Sequence, residues 1–204
     1  CSNPAGPPLA VGDTIADTPD FDVNGVVVAH LAYSGSLSAE EITSDAAAER
    51  DAGAEVVVVT IEWGGAADLL PTAAERTLVQ EITSTGAIDL VVGQSPLLRG
   101  VEQVNGVWVL WGLGGLLTSG QPGGSLPPAA EDAAIVTVRF ARGLDGAITV
   151  HTPVVHATWC DREGGHVVRP TGDLGDASLA PEVRVALQRS DTRSRATMGA
   201  LLAG

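Results

Sequence analysis

Two short apolar runs, Glu55 to Ile61 and Ile88 to Val92, stand out along the chain, each followed by a glycine-containing segment. The first continues into Glu62-Trp63-Gly64-Gly65 and the second into Gly93-Gln94-Ser95-Pro96. Continuous apolar runs bounded by glycine read as strands covered on both faces. Between them, Thr72 to Thr83 reads as a helix opening after Pro71, with Ala73, Leu78 and Ile82 as its buried stripe. Strand, helix, strand predicts a βαβ unit, whose site forms on the loops at the carboxyl ends of the strands. A hairpin turning at Asn105-Gly106 follows and closes on Trp111-Gly112-Leu113-Gly114-Gly115.

The flanking segments obey the same two periods. Phe21 to Val23, Asn24-Gly25 and Val26 to Tyr33 predict a hairpin whose long strand is apolar on both faces. His30, in mid-strand, reads as a packed, hydrogen-bonded histidine. Ser38-Ala39-Glu40-Glu41 is a capping box for a helix running to about Asp51, which Gly53 stops. Residues 118–131 are rich in Gly, Pro and Ser and read as a surface loop. Ala133 to Ala141 and Ala147 to Val155 predict a long hairpin, half-exposed on the face of Ile135, Thr137 and Arg139. Residues 180–204 read as a terminal helix starting at Pro181, and residues 1–20 as a loop or linker in which Gly12-Asp13 is a turn.

Four motifs of the central stretch carry a resemblance. They are Glu62-Trp63-Gly64; Gly86-Ala87-Ile88-Asp89; Gly93-Gln94-Ser95-Pro96-Leu97; and Gly112-Leu113-Gly114-Gly115-Leu116. In spacing and order the stretch resembles the carboxyl half of the CapA-type capsule and poly-γ-glutamate synthesis proteins, which have a calcineurin-like metallophosphatase fold. The family pattern reads His-Trp-Gly, Gly-Ala-Asp, Gly-His-His-Pro-His and Ser-Leu-Gly-Asn-Phe. The resemblance implies an α/β sandwich of mixed β-sheets flanked by helices, here lacking the amino-terminal half of the family domain. It also implies divalent metal ions.

The substitutions within the motifs point away from that chemistry. Glu62 stands in place of the first histidine, Gln94, Ser95 and Leu97 in place of the next three, and Gly115 in place of the asparagine. A two-metal site needs imidazole and carboxylate ligands; glutamine and serine are weak neutral donors, and leucine is none. The expected site is therefore a ligand-binding cleft of Glu62, Trp63, Gly64, Gln94, Ser95 and Gly115, with no metal ligand set and no cofactor. Glu62 is the one candidate catalytic residue, as a carboxylate able to act as base or ligand. The resemblance carries an expectation of a catalytically degenerate envelope protein that binds a ligand or scaffolds capsule or poly-γ-glutamate synthesis. Two alternatives stay open: a metal-dependent hydrolase of phosphate or amide bonds completed by the missing amino half, and a structural subunit of an envelope complex. A complementary amino-terminal chain, another envelope protein or a second copy would cover the sheet edge that a half-domain exposes.

Composition narrows the partners. All 11 basic residues are arginine and the formal net charge is −14. Such a chain is not a nucleic-acid binder, and charge alone would not hold it to an anionic membrane or polymer. No apolar run is long enough to cross a bilayer. Cys1 and Cys160 have three readings: a disulfide suited to an extracellular or envelope protein; Cys1 as the lipid-carrying first residue of a mature lipoprotein; or two unpaired thiols. Cys160, Asp161, Glu163 and His166, with His151 and His156, have ligand chemistry but no zinc spacing, and read as structural. His151 and His156 are expected on opposite faces of one strand.

Overall fold

A computed structural model describes residues 21–23, 25–63, 68–117 and 127–202. The expected loop at 1–20, with Gly12-Asp13, and most of the loop at 118–131 lie outside the described residues. So do Cys1, Asn24 and Gly64.

The central unit is a six-stranded mixed sheet in the order β1-β2-β3-β4-β6-β5. β1 (Phe21–Val23) is a short antiparallel partner of β2 (Val26–Tyr33). β2, β3 (Val56–Glu62), β4 (Leu90–Gln94) and β6 (Val107–Leu110) run parallel, and β5 (Val101–Val104) is the antiparallel edge beside β6. The sequence placed the second strand at Ile88 to Val92. The structure shifts it to Leu90–Gln94 and extends β3 to Glu62, so both motif residues end a strand.

Two helices cover one face. α1 (Ala39–Ala52) starts at Ser38, whose hydroxyl accepts from the N–H of Glu41, and stops at Gly53 in the left-handed region. α2 (Ala73–Thr83) starts at Thr72 in a complete capping box with Glu75. Its buried stripe is Val79, Ile82 and Thr83, with Leu78 partly buried, whereas Ala73 is exposed. Side chains of the sheet alternate between its two faces with period two. Ala29, Leu31, Tyr33, Val57, Val59, Ile61, Val91 and Val109 pack with Ile42, Ala46, Val79 and Ile82 of the helices. Full burial of each such branched side chain contributes about 1.5–3 kcal/mol against its exposed state.

The end of the sheet opposite the site is tied by Asp89, the aspartate of the Gly-Ala-Ile-Asp motif. Its carboxylate accepts the N–H of Val57 at 2.7 Å and pairs with Arg50 of α1. Asp89 therefore joins β3, β4 and α1, a structural task.

A second, three-stranded sheet in the order β11-β10-β7 joins β7 (Asp132–Thr137), β10 (Val154–Asp161) and β11 (Val167–Pro170). The expected long hairpin is present but divided. β7 pairs with β10, while β8 (Phe140–Arg142) pairs with β9 (Ile148–Val150) as a separate ribbon. Val138 and Arg139 break one strand, and His151, Thr152 and Pro153 break the other. Proline has no N–H for the ladder, and the unequal break cannot be paired in register. His151 thus lies outside any strand and only His156 belongs to β10, which corrects their expected placement on one strand. The half-exposed face of Ile135, Thr137 and Arg139 is as expected.

α3 (Pro181–Met198) is shorter than residues 180–204: Gly199 ends it and a 3-10 turn, Gly199–Leu201, follows. The helix docks on β7 through buried Asp132, which accepts from Ser190 Oγ at 2.6 Å and from Arg193 Nε at 2.6 Å. At the far end the Arg142 guanidinium pairs with the Glu55 carboxylate and donates to the carbonyl of Gly25 at 2.9 Å, which ties β8 to the amino ends of β2 and β3.

Candidate functional site

Period two also decides which motif residues face outward. On the sheet face away from α1 and α2, β3 presents Val56, Val58, Thr60 and Glu62 in turn, and β4 presents Leu90, Val92 and Gln94. Polarity therefore rises toward the carboxyl ends. Glu62 and Gln94 are direct register partners, as are Thr60 and Val92. A cleft of about 580 Å³ opens there, lined by His30, Thr60, Glu62, Val92, Gly93, Gln94, Ser95, Pro96, Leu113 and Gly114. It occupies the place where parallel α/β sheets usually bind small molecules.

Glu62 and Gln94 are exposed at the mouth, and Ser95 is buried. The Ser95 hydroxyl accepts the N–H of Leu97 at 3.3 Å, a local turn that shapes the loop after β4. Leu97, which stands at a family histidine position, is only 3% exposed and belongs to the interior. The loops after β4 and β6 touch because Gly112 has no side chain: a Cβ there would lie 2.7 Å from Cβ of Ser95 and 3.0 Å from the Leu97 carbonyl. The N–H of Arg99 donates to the Gly112 carbonyl at 2.9 Å, which holds this contact.

Trp63 takes the other face. As the residue after Glu62 it points to the helix side, where its indole packs 5.8 Å from that of Trp111. Its N–H donates to the Trp111 carbonyl at 2.9 Å. Trp63 does not line the cleft; it holds the loop after β3 against the end of β6. Gly115 is half-buried just beyond the lining residues Leu113 and Gly114. Gly64 and Cys1 lie outside the described residues. Cys160 is buried in β10, away from the cleft.

His30 and Thr60 are the polar side chains of the lining that sequence reasoning left out. The His30 Nε2 and Thr60 Oγ1 atoms share a 2.7 Å hydrogen bond. The histidine is thus bonded, as expected, but it also forms part of the cleft wall. The signal was present in strand parity: His30 is an even position on β2, as Thr60, Glu62, Val92 and Gln94 are on their strands. What parity lacked was the parallel register that sets His30 diagonal to Thr60.

The cleft can be tested against the divalent cations implied by the family. Its donors are one carboxylate, one imidazole already bonded to Thr60, an amide and two hydroxyls. Among the described residues no three His, Cys, Asp or Glu side chains come together as a metal-holding group. This donor set does not fit a two-metal centre, which needs several anionic or imidazole ligands around each ion.

A family model described as bacterial capsule synthesis protein PGA_cap matches residues 13–119, more than half of the chain. The chain belongs to that family. The match contains β2, β3, β4 and β6, and so the whole parallel part of the sheet and every residue that lines the cleft. It agrees with the metallophosphatase-like α/β architecture of mixed sheets flanked by helices. Comparison with curated proteins finds no match. No described helix of this capsule synthesis family member is long and apolar enough to cross a membrane.

Proposed function

We propose that this member of the capsule synthesis family is catalytically degenerate and serves in the bacterial cell envelope as a ligand-binding protein of capsule or poly-γ-glutamate synthesis. One observation carries the reading. The cleft stands at the carboxyl ends of β3 and β4, where the motif residues meet, yet it offers hydrogen-bonding groups and one carboxylate instead of a metal cage. Such a site can bind and orient a polar molecule. Among the described residues, no paired ligands stand there that would activate water for hydrolysis.

The same reading gives the protein a partner in the envelope, a second chain or another copy of itself. Exposed Leu69 and Leu70, after β3, and Leu116 and Leu117, after β6, support it, since exposed leucines on neighbouring connections are common at interfaces. Attachment through a lipid on Cys1, or a disulfide from Cys1 to Cys160, is part of the same proposal, and mass analysis of the native protein distinguishes them.

Metal analysis of the purified protein tests the degenerate reading. The expected result is substoichiometric Mn, Fe and Zn, unchanged in Glu62→Ala. Stoichiometric metal that is lost in Glu62→Ala would overturn it in favour of a metal-dependent hydrolase.

A further inference from the structure

We infer that the cleft selects amine-bearing, positively charged ligands and rejects polyanions, with Glu62 as the group that pairs with the ammonium. The inference deepens the ligand-binding reading above and rests on it.

It follows from an inventory of charge. The chain has no lysine, so its 11 arginines are its only side-chain cations at neutral pH. All 11 lie in described segments, and none lines the cleft. Eight of them are held in ion pairs elsewhere: Arg50 with Asp89, Arg76 with Glu102, Arg99 with Glu75, Arg142 with Glu55, Arg162 with Glu131, Arg169 with Asp161, Arg193 with Asp132 and Arg195 with Asp191. Residues 1–20, 64–67 and 118–126 contain no arginine or lysine. Among the described residues, no arginine stands on the cleft wall to pair with a carboxylate, uronate or phosphate.

The one formal charge on the cleft wall among the carboxylates and guanidiniums is that of Glu62, exposed at the mouth. Around it stand neutral donors and acceptors, Gln94, Ser95 and Thr60, and an apolar floor at Val92. An ammonium group placed against Glu62 gains a charge-assisted hydrogen bond, and neighbouring hydroxyls of the same ligand can reach the amide and hydroxyl groups. The field of a chain with net charge −14 acts in the same sense, drawing cations toward the mouth and repelling anions.

The test is equilibrium binding by calorimetry at low salt, with three oligomers of equal length: glucosamine, N-acetylglucosamine and γ-glutamate. The glucosamine oligomer should bind at least about tenfold more tightly than its acetylated counterpart, and the γ-glutamate oligomer should not bind. Glu62→Gln should lower glucosamine affinity to the acetylated level while leaving the acetylated oligomer unaffected. Glu163→Gln, which removes the same charge away from the cleft, should leave the preference intact. Tight γ-glutamate binding, or a preference that survives in Glu62→Gln, overturns the inference and leaves the ligand-binding reading standing. Failure of all three oligomers to bind overturns both.

Discussion

The indole N–H of Trp63 reaches the carbonyl of Trp111 through the space that a side chain on Gly93 would fill. A Cβ at Gly93 would lie 2.0 Å from Trp63 Nε1 and 2.4 Å from the Trp111 oxygen. The carboxyl ends of β3 and β6 are therefore joined across β4, and the join depends on a missing side chain. It holds the helix-side wall beneath the loops that frame the cleft.

Gly93→Ala should break this join, because the new methyl meets a backbone carbonyl and a packed indole ring, and neither is the free end of a flexible chain. A loss of about 1–3 kcal/mol is expected, as for other overpacked interiors. Trp63→Phe keeps an aromatic ring and removes only the donor, so a smaller loss of about 1 kcal/mol is expected. Urea unfolding followed by circular dichroism measures both. Equal stability of Gly93→Ala and the wild type would contradict the geometry.

Arg99 is fully buried, with its guanidinium on the Glu75 carboxylate at 3.1 Å and on the Asp68 carbonyl at 2.8 Å. It anchors the connection between β3 and α2 to the strand-like segment before β5. Arg99→Met should cost about 3–5 kcal/mol, since it leaves the largely buried Glu75 without its ion-pair partner. The double variant Arg99→Met with Glu75→Leu should recover much of that loss, because it removes both buried charges. The denaturation midpoints of the two variants decide the matter: a double variant no better than the single one would show that packing, not charge, sets the cost.

The pair that ties β8 to β3 predicts a dependence on pH. The side-chain hydrogen bond from Arg142, with the N–H of Val27, lowers the Glu55 carboxyl from 4.5 to about 2. A carboxyl depressed in the folded state adds stability above its unfolded value and loses it as pH falls through the folded one. The stability difference between wild type and Arg142→Gln should therefore be full above about pH 4.5 and fade toward about pH 2. Thermal midpoints of the two proteins across that window measure it. A difference that grows on acidification would have the wrong sign.

Much of the architecture was legible one residue at a time. The apolar runs of β3 and β4, the Ser38 and Thr72 caps, the Gly53 stop and the Asn105-Gly106 turn are local signals, and each element formed where those signals stand. The motifs that carried the family resemblance lie on the strand ends they mark. Strand ends moved by a residue or two, as at β4, because hydrogen bonding to neighbours settles where a strand stops. The long hairpin expected after residue 132 divided at Pro153 because one missing N–H and an unequal break decide pairing there, which alternation of apolar residues does not reveal.

The site divides in the same way. Residue types alone placed a carboxylate, an amide and a hydroxyl at Glu62, Gln94 and Ser95, and removed the imidazoles of the family pattern. Only the tertiary structure turned Trp63 inward to Trp111, brought His30 and Thr60 into the cleft wall, and paired seven arginines with carboxylates of other elements. The reason is physical: a side chain's chemistry is written in its identity, but its face and partners depend on strand register, and register is set by residues far away along the chain.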